Sequence, residues 1–193
     1  GAYGLPLRNA DWRCGLYLLT ALPVGSGGGN EPDADQRAAV TAGVPVRSAM
    51  DNALFAVNDW VISPGFDLAW VRGGWTIQAE ATILQLIRVR GEEVQPDANR
   101  TNATTGLHAG RFLGQSVSLG AEFRYQRWLS TPKSVEVAPR LRDTATVALG
   151  SRFHFKVGEK AWFRPGISLA LPLDDPMSAA EYRVIQVDLP YVF

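Results

Sequence analysis

Ionisable side chains recur at every second position in several segments of this chain, a pattern that places them on one face of extended strands. The expected face carries Asp67, Glu80, Glu122, Arg124, Arg152, His154, Arg164 and Asp188. Acids, bases and a histidine enclosed together have perturbed pKa values, so they can form a catalytic or ion-conducting cluster. They can equally fill a narrow interior with ion pairs. We favour ion-pair filling, because the chain contains no Gly-x-Ser-x-Gly, His-Glu-x-x-His or comparable motif, and we predict no catalytic residue.

Metal, cofactor and nucleic-acid sites are not indicated by the composition. The single Cys14 excludes a disulfide within the chain and cannot alone build a structural zinc site. The acidic pairs Asp174–Asp175 and Asp33/Asp35 lack EF-hand spacing, and we interpret them as solvated loop residues. Lys plus Arg and Asp plus Glu both number 19, so the basic excess typical of nucleic-acid binders is missing. We therefore predict no metal, no cofactor and no nucleic-acid partner.

The segments that carry these residues alternate between polar and apolar positions with the two-residue period of a β-strand. At the C-terminus, Ile185, Val187, Leu189, Tyr191 and Phe193 share one face and Gln186 and Asp188 the other. Similar alternation runs through 60–71, 116–129, 144–157 and 162–171, and less regularly through 75–90 and 104–113, while 12–24 is assigned from context. Leu84, Leu86 and Ile87 make segment 75–90 apolar on both faces, which suggests a β-bulge.

The connections between these strands alternate between short and long. Short turns are expected at 72–74, 114–115 and 158–160, and longer loops at 25–52, 91–102, 130–143 and around 177–180. This asymmetry is typical of outer-membrane barrels. We predict one domain over residues 1–193, a closed antiparallel up-and-down transmembrane β-barrel of about eight strands. The long extracellular loop, about 25–53, is expected to form a small helix, a cap or an extra hairpin, and a spanning hairpin would raise the count to ten.

The choice of which face points inward separates a membrane barrel from a soluble one. A lipocalin-like soluble barrel places its apolar face inside, around a ligand. Here the polar faces mix opposite charges with Gly120, Gly150 and Gly166, which suits a narrow interior, so the apolar faces are expected to meet lipid. Aromatic residues are expected in two girdles at the membrane surfaces. Those near the turns are Trp70, Trp75, Phe155, Tyr191 and Phe193, and those near the loops are Trp60, Tyr125, Trp128 and Tyr182.

The C-terminal residues also resemble a known signature. Ile185, Val187, Leu189, Tyr191 and Phe193 are similar to the C-terminal signature of bacterial outer-membrane proteins, a terminal Phe preceded by apolar or aromatic residues at every second position. The resemblance implies recognition by the barrel-assembly machinery and location in the bacterial outer membrane. The eight-strand layout extends the resemblance to the small, eight-stranded outer-membrane β-barrel proteins over most of the chain.

These expectations favour a non-enzymatic outer-membrane protein, a structural or partner-binding component of the cell envelope in contact with outer-membrane lipids. The alternatives are a lipid-modifying enzyme with His154 as base, a narrow channel, and the soluble lipocalin-like barrel. A protein partner within the membrane would dock on the outward residues Ala79, Ala81, Ala109 and Arg111. Small residues permit close approach, and an arginine is costly in lipid unless it lies at an interface. Alternatively, Arg111 extends to the headgroups beside the turn at Gly114.

Overall fold

The structure is a computed structural model that describes residues 2–8, 11–49, 56–175, 177–179 and 181–193. Most of these residues lie in antiparallel strands. The strands are β1 (Ala2–Arg8), β2 (Trp12–Ala21), β3 (Asp59–Arg72), β4 (Trp75–Arg88), β5 (Asn99–Leu113), β6 (Val117–Trp128), β7 (Asp143–Phe153), β8 (Phe155–Val157), β9 (Ala161–Phe163), β10 (Gly166–Pro172), β11 (Val184–Asp188) and β12 (Tyr191–Val192). The helices are α1 (Ala34–Ala49), α2 (Lys133–Val137) and a short 3₁₀ helix, Pro139–Leu141.

The strands form a nine-stranded sheet in the order β1-β2-β3-β4-β5-β6-β7-β10-β11 and a three-stranded sheet in the order β12-β9-β8. The small sheet continues the large one, because β7–β10 and β8–β9 keep the same register on either side of His154. Every pair is antiparallel, and neighbours in the large sheet are consecutive along the chain except β7 and β10, which are separated in sequence by β8 and β9 of the small sheet. The predicted antiparallel arrangement is confirmed, with a strand in each of the eight predicted segments.

Strand β1 was not expected from the sequence. It pairs with β2 from Ala2↔Leu19 to Arg8↔Arg13 and so forms one edge of the large sheet, while β11 forms the other. No pairing within the described ranges joins these edges, so the predicted closure into a barrel is not observed. Because each of the nine strands is antiparallel to its neighbour, β1 and β11 run in the same direction.

The turns and loops follow the predicted alternation. Gly73 and Gly74 join β3 to β4 with φ values of +57° and +81°, the left-handed region that a two-residue type I′ hairpin turn requires at both positions. The predicted helix within residues 25–52 is confirmed as α1, so the hairpin alternative is wrong for residues 34–49. Asp33 caps this helix, since the Gln36 N–H donates to Asp33 Oδ1 at 2.9 Å. No helix within the described part of the chain is long and apolar enough to cross a membrane.

One face of the large sheet encloses a cavity, and we call it the inner face. At the loop end, this face holds a small apolar core of Ala56, Val61, Leu84 and Leu86, against which Leu19, Ala21 and Trp128 pack. We call these residues the apolar plug. Leu84 and Leu86 are therefore apolar because the interior is apolar at that level. The predicted bulge is absent, since β4 keeps one register with β5 from Trp75↔Arg111 to Ile87↔Asn99.

Trp128 and Tyr182, two of the aromatic residues predicted in the loop-side girdle, do not lie on the outer surface as expected. Trp128 packs inward against the apolar plug, so its assignment to an outer girdle was wrong. The Tyr182 hydroxyl is buried with no hydrogen-bond partner within the described residues, and burial raises the pKa of this phenol. Trp60, by contrast, is exposed on the loop side, and Trp75 and Phe155 are exposed on the turn side.

Candidate functional site

The inner face carries a cavity of about 850 Å³ between its centre and the turn end, which we call the chamber. Residues from six strands, β4, β5, β6, β7, β10 and β11, line it, so the sheet is strongly curved around this space. Its walls alternate small residues, such as Gly150 and Ser168, with charged ones, such as Arg152 and Asp188. The apolar plug lies on the loop side of the chamber.

Glycines on the inner face make room for large side chains from the neighbouring strand. Tyr17 lies against Gly65, its register partner on β3, and its hydroxyl is 2.7 Å from Thr82 Oγ1 on β4. Glu80 lies against Gly106, where a Cβ atom would sit 2.8 Å from Glu80 Cγ. We call each such pair a glycine interlock. Further interlocks join Asp67 to Gly15, Asp188 to Gly166 and Ser168 to Gly150.

Five of the eight ionisable residues predicted on the inner face form ion pairs, four of them across strands and Glu122 with Arg124 within β6. Arg124 lies 3.3 Å from Glu80 and 3.4 Å from Glu122. Arg152 pairs with Asp188, which lies two strands away on β11. The Arg124–Glu80 pair connects β4 to β6 and the Arg152–Asp188 pair connects β7 to β11, both beside the chamber.

Two of the predicted charged residues form no ion pair within the described parts of the chain. Asp67 lies against Gly15 and directly opposite Glu80 in the strand register. The Arg164 guanidinium lies 5.5 Å from the centre of the Trp162 ring, and its Nε is buried without a hydrogen-bond partner. The predicted set is thus divided into two groups of ion pairs and two separate residues.

The remaining predicted residue, His154, forms a cluster with residues that sequence reasoning missed. His154 Nε2 lies 2.9 Å from the Ser118 hydroxyl, and its ring centre is 4.7 Å from that of Phe112. The other histidine of the chain, His108, lies over Gly110 and Gly120. Ser118, Phe112 and His108 all line the chamber, whereas His154 is only 8% exposed. In the sequence, Gly110 and Gly120 could have indicated this cluster, because inward glycines leave space for a large neighbouring ring.

The C-terminal signature residues lie on the outer face. Ile185, Val187, Leu189 and Phe193 are 71%, 62%, 67% and 96% exposed, respectively. The rings of Tyr191 and Phe193 lie 6.2 Å apart. Because β11 is an edge strand, this apolar row borders an unpaired edge of the large sheet.

The predicted partner face is also on the outside. Ala81 and Ala109 are exposed, and Ala109 pairs with Ala121 in the register of β5 and β6. The Arg111 guanidinium lies 4.7 Å from the centre of the Trp75 ring, close to the β3–β4 turn. Ala79 and Ala81 lie opposite Leu107 and Thr105, so the structure brings Ala109 beside Ala121 but does not bring Ala81 beside Ala109.

The acidic loop residues have structural contacts. Asp33 caps α1, Asp174 Oδ1 accepts from the Ala145 N–H at 2.8 Å, and Asp175 accepts from the Ser178 hydroxyl at 2.7 Å. Within the residues that the structure describes, no group of three or more His, Cys, Asp or Glu side chains is arranged to hold a metal ion.

Comparisons with models of known protein families, with curated proteins and with solved structures find no match to this chain in any of the three.

Proposed function

We propose that this chain is an integral β-barrel protein of the bacterial outer membrane with a structural or partner-binding role in the cell envelope. The observation that carries the proposal is the exposed apolar outer face, set against charged residues on the inner face. Leu149, Leu107 and Ile167 are 60%, 57% and 51% exposed on three different strands. Contiguous apolar surface of this extent is unusual on a soluble monomer and suits contact with lipid.

Closure of the sheet is part of this proposal. In lipid, an open sheet edge leaves backbone N–H and C=O groups without partners, at a cost of several kcal/mol each. The edges β1 and β11 run in the same direction, so antiparallel closure cannot join them directly. Strand β2 runs opposite to β11. Pairing β2 with β11, with β1 displaced from the β2 edge, closes an antiparallel barrel of eight strands.

Two of the three alternatives, the lipocalin-like barrel and the channel, receive less support. A lipocalin-like barrel requires an apolar interior around its ligand, whereas the chamber walls carry Arg124, Arg152 and Asp188. A channel requires a continuous path, whereas Val61, Leu84 and Leu86 of the apolar plug are 0%, 6% and 2% exposed.

Besides outer-membrane lipids, we propose two partners, the barrel-assembly machinery and a membrane protein. The barrel-assembly machinery would recognise the exposed C-terminal row that ends at Phe193. Deleting Phe193 is expected to lower the amount of assembled protein in cells more than its folding in vitro, and equal effects would count against recognition.

A membrane protein partner would dock on the outer face that carries Ala79, Ala81 and Ala109, where small side chains allow close approach at two separate positions, Ala79 with Ala81 on β4 and Ala109 with Ala121 on β5 and β6. The cation–π contact between Arg111 and Trp75 gives the alternative that Arg111 simply reaches the headgroup level. With Cys14 replaced by serine, cysteines introduced by Ala81→Cys and Ala109→Cys are expected to crosslink to the partner more than those from Leu149→Cys and Leu169→Cys. Equal crosslinking at both sites would remove the docking proposal.

The membrane proposal itself is tested on the purified chain. A membrane barrel requires detergent for solubility, and its folded and boiled forms migrate differently in gel electrophoresis. A chain that stays monomeric in buffer without detergent and shows a single mobility would contradict the proposal.

A further inference from the structure

We propose that Ser118 and His154 form a nucleophile–base pair that hydrolyses carboxylic esters admitted to the chamber. The Ser118 hydroxyl lies 2.9 Å from His154 Nε2, within the range for a serine activated by a neighbouring base. Ser118 lines the chamber, so its hydroxyl borders a space that a substrate can enter. This proposal adds an activity to the envelope protein and does not depend on its location.

The imidazole of His154 is held in place from several sides. Its backbone N–H donates to the Ser116 carbonyl at 2.8 Å, which continues the β6–β7 register beyond Phe153. Its ring packs against Phe112, and the residue is 8% exposed. The ring is therefore fixed with Nε2 toward Ser118. The Phe112 ring restricts the orientation of the imidazole, which is one part of the role that a carboxylate has in a Ser-His-Asp triad.

Two further groups can stabilise the negative charge that develops on the ester oxygen. His108 leans over Gly110 and Gly120, and a Cβ atom on Gly120 would lie 3.0 Å from His108 Cε1. Gly120 is two residues from Ser118 on the same face of β6, so His108 is close to the wall that carries the nucleophile. Arg152 is directly opposite Ser118 in the register of β7, and its guanidinium, which pairs with Asp188, still has N–H donors on the same wall.

The reaction proceeds in two steps. Ser118 Oγ attacks the ester carbonyl carbon as His154 Nε2 takes the hydroxyl proton, and the alcohol leaves with that proton, so the acyl group is bound to Ser118. Water then attacks the acyl carbon and gives its proton to His154, and the acid leaves as Ser118 recovers its proton. A chamber of about 850 Å³ is within the size of small-molecule sites, so we assign small, uncharged esters as the substrate class.

The test uses a fluorophosphonate probe, which bonds covalently to activated serine hydroxyls, on the full chain folded in detergent. Wild type is expected to be labelled at Ser118, identified by mass spectrometry of the peptide. Ser118→Ala should abolish labelling, and His154→Gln should slow it at least about 100-fold, the usual contribution of a general base. Ser178→Ala is the control, because the Ser178 hydroxyl donates to Asp175 in an exposed loop outside the chamber, and this variant should be labelled like wild type.

A second measurement excludes a folding artefact. Hydrolysis of p-nitrophenyl butyrate should require Ser118, while the heat-modifiable mobility of Ser118→Ala stays that of wild type. Absence of labelling in folded wild type, labelling at another serine, or an unchanged rate in folded His154→Gln would each overturn the proposal. Detergent dependence is measured on the same samples, so failure here is distinguishable from failure of the membrane proposal.

Discussion

The Asp59 carboxylate and the Arg100 guanidinium form a buried ion pair at the loop end of the sheet. Asp59 is 1% exposed, and its second carboxylate oxygen accepts a hydrogen bond from Gln95 Nε2 at 2.6 Å. Asp59 begins β3, Gln95 lies in the β4–β5 loop and Arg100 lies at the start of β5. One carboxylate thus joins two strands to the loop between β4 and β5, directly beside the apolar plug.

Removing this carboxylate should destabilise the protein strongly. Asp59→Ala leaves Arg100 as a buried, uncompensated charge, and we expect a loss of about 3–5 kcal/mol in the free energy of unfolding. Urea titration of the protein in lipid vesicles measures the change. Glu136→Ala is the control, because it breaks the exposed Lys133–Glu136 pair in α2 and should leave the midpoint unchanged. Similar midpoints for both variants would contradict the role given to Asp59.

Charges on the outer face should be costly if that face meets lipid. Leu149→Arg and Leu169→Arg place a guanidinium near the middle of the exposed apolar surface, and we expect each to cost about 2–4 kcal/mol in vesicles. Val137→Arg is the matched control, since Val137 is 85% exposed in α2, outside the sheet. Refolding yields and urea midpoints report the difference, and wild-type behaviour of the two sheet variants would refute the lipid-facing assignment.

The interlock between Gly65 and Tyr17 predicts a compensating pair of substitutions. A methyl group at residue 65 collides with the Tyr17 ring, so Gly65→Ala should destabilise by about 1–3 kcal/mol. In a double-mutant cycle, the same change should cost much less in a Tyr17→Ala background, because the colliding ring is gone. Gly25→Ala is a suitable control, since nothing lies within 4 Å of the added atom. Additive effects of the two substitutions would show that the interlock is not the cause.

The native Cys14 provides a test of closure. It lies on β2, and antiparallel closure would bring β2 beside β11. A disulfide requires Cα atoms about 4.4–6.8 Å apart, a distance that residues on neighbouring strands can satisfy. We therefore expect Ile185→Cys or Val187→Cys to form a disulfide with Cys14 within the molecule. Leu149→Cys on β7 should give none. Failure of every β11 position to crosslink in the membrane-inserted protein would leave β1 on the β2 edge and exclude the eight-stranded closure.

The strands were predictable because side-chain alternation is local. The alternation is clear in segments 144–157 and 116–129. Segment 144–157 forms β7 and β8, and segment 116–129 forms β6, as expected. Strand β1 was missed because it is short and because Gly4 and Pro6 have low strand propensity, so the alternation is weak there.

The cluster at Ser118 was not predictable in the same way. The contact between Ser118 and His154 depends on the register of β6 against β7, and the approach of His108 depends on the register of β5 against β6. Alternation assigns each residue to a face but does not say which residues on adjacent strands are opposite one another. The β-bulge predicted from Leu84 and Leu86 was wrong for a related reason. The interior changes from polar to apolar along its length, and the alternation within one strand does not show where this change occurs.

The glycine interlocks also restrict how the strands can slide past one another. Sliding a strand by two residues keeps every polar residue inside and every apolar residue outside, so the alternation does not oppose it. It would, however, move Glu80 away from Gly106 and Tyr17 away from Gly65 toward positions that carry a Cβ atom. Errors of an even number of residues, which the hydrophobic pattern permits, are thus opposed by the sizes of the side chains on the inner face.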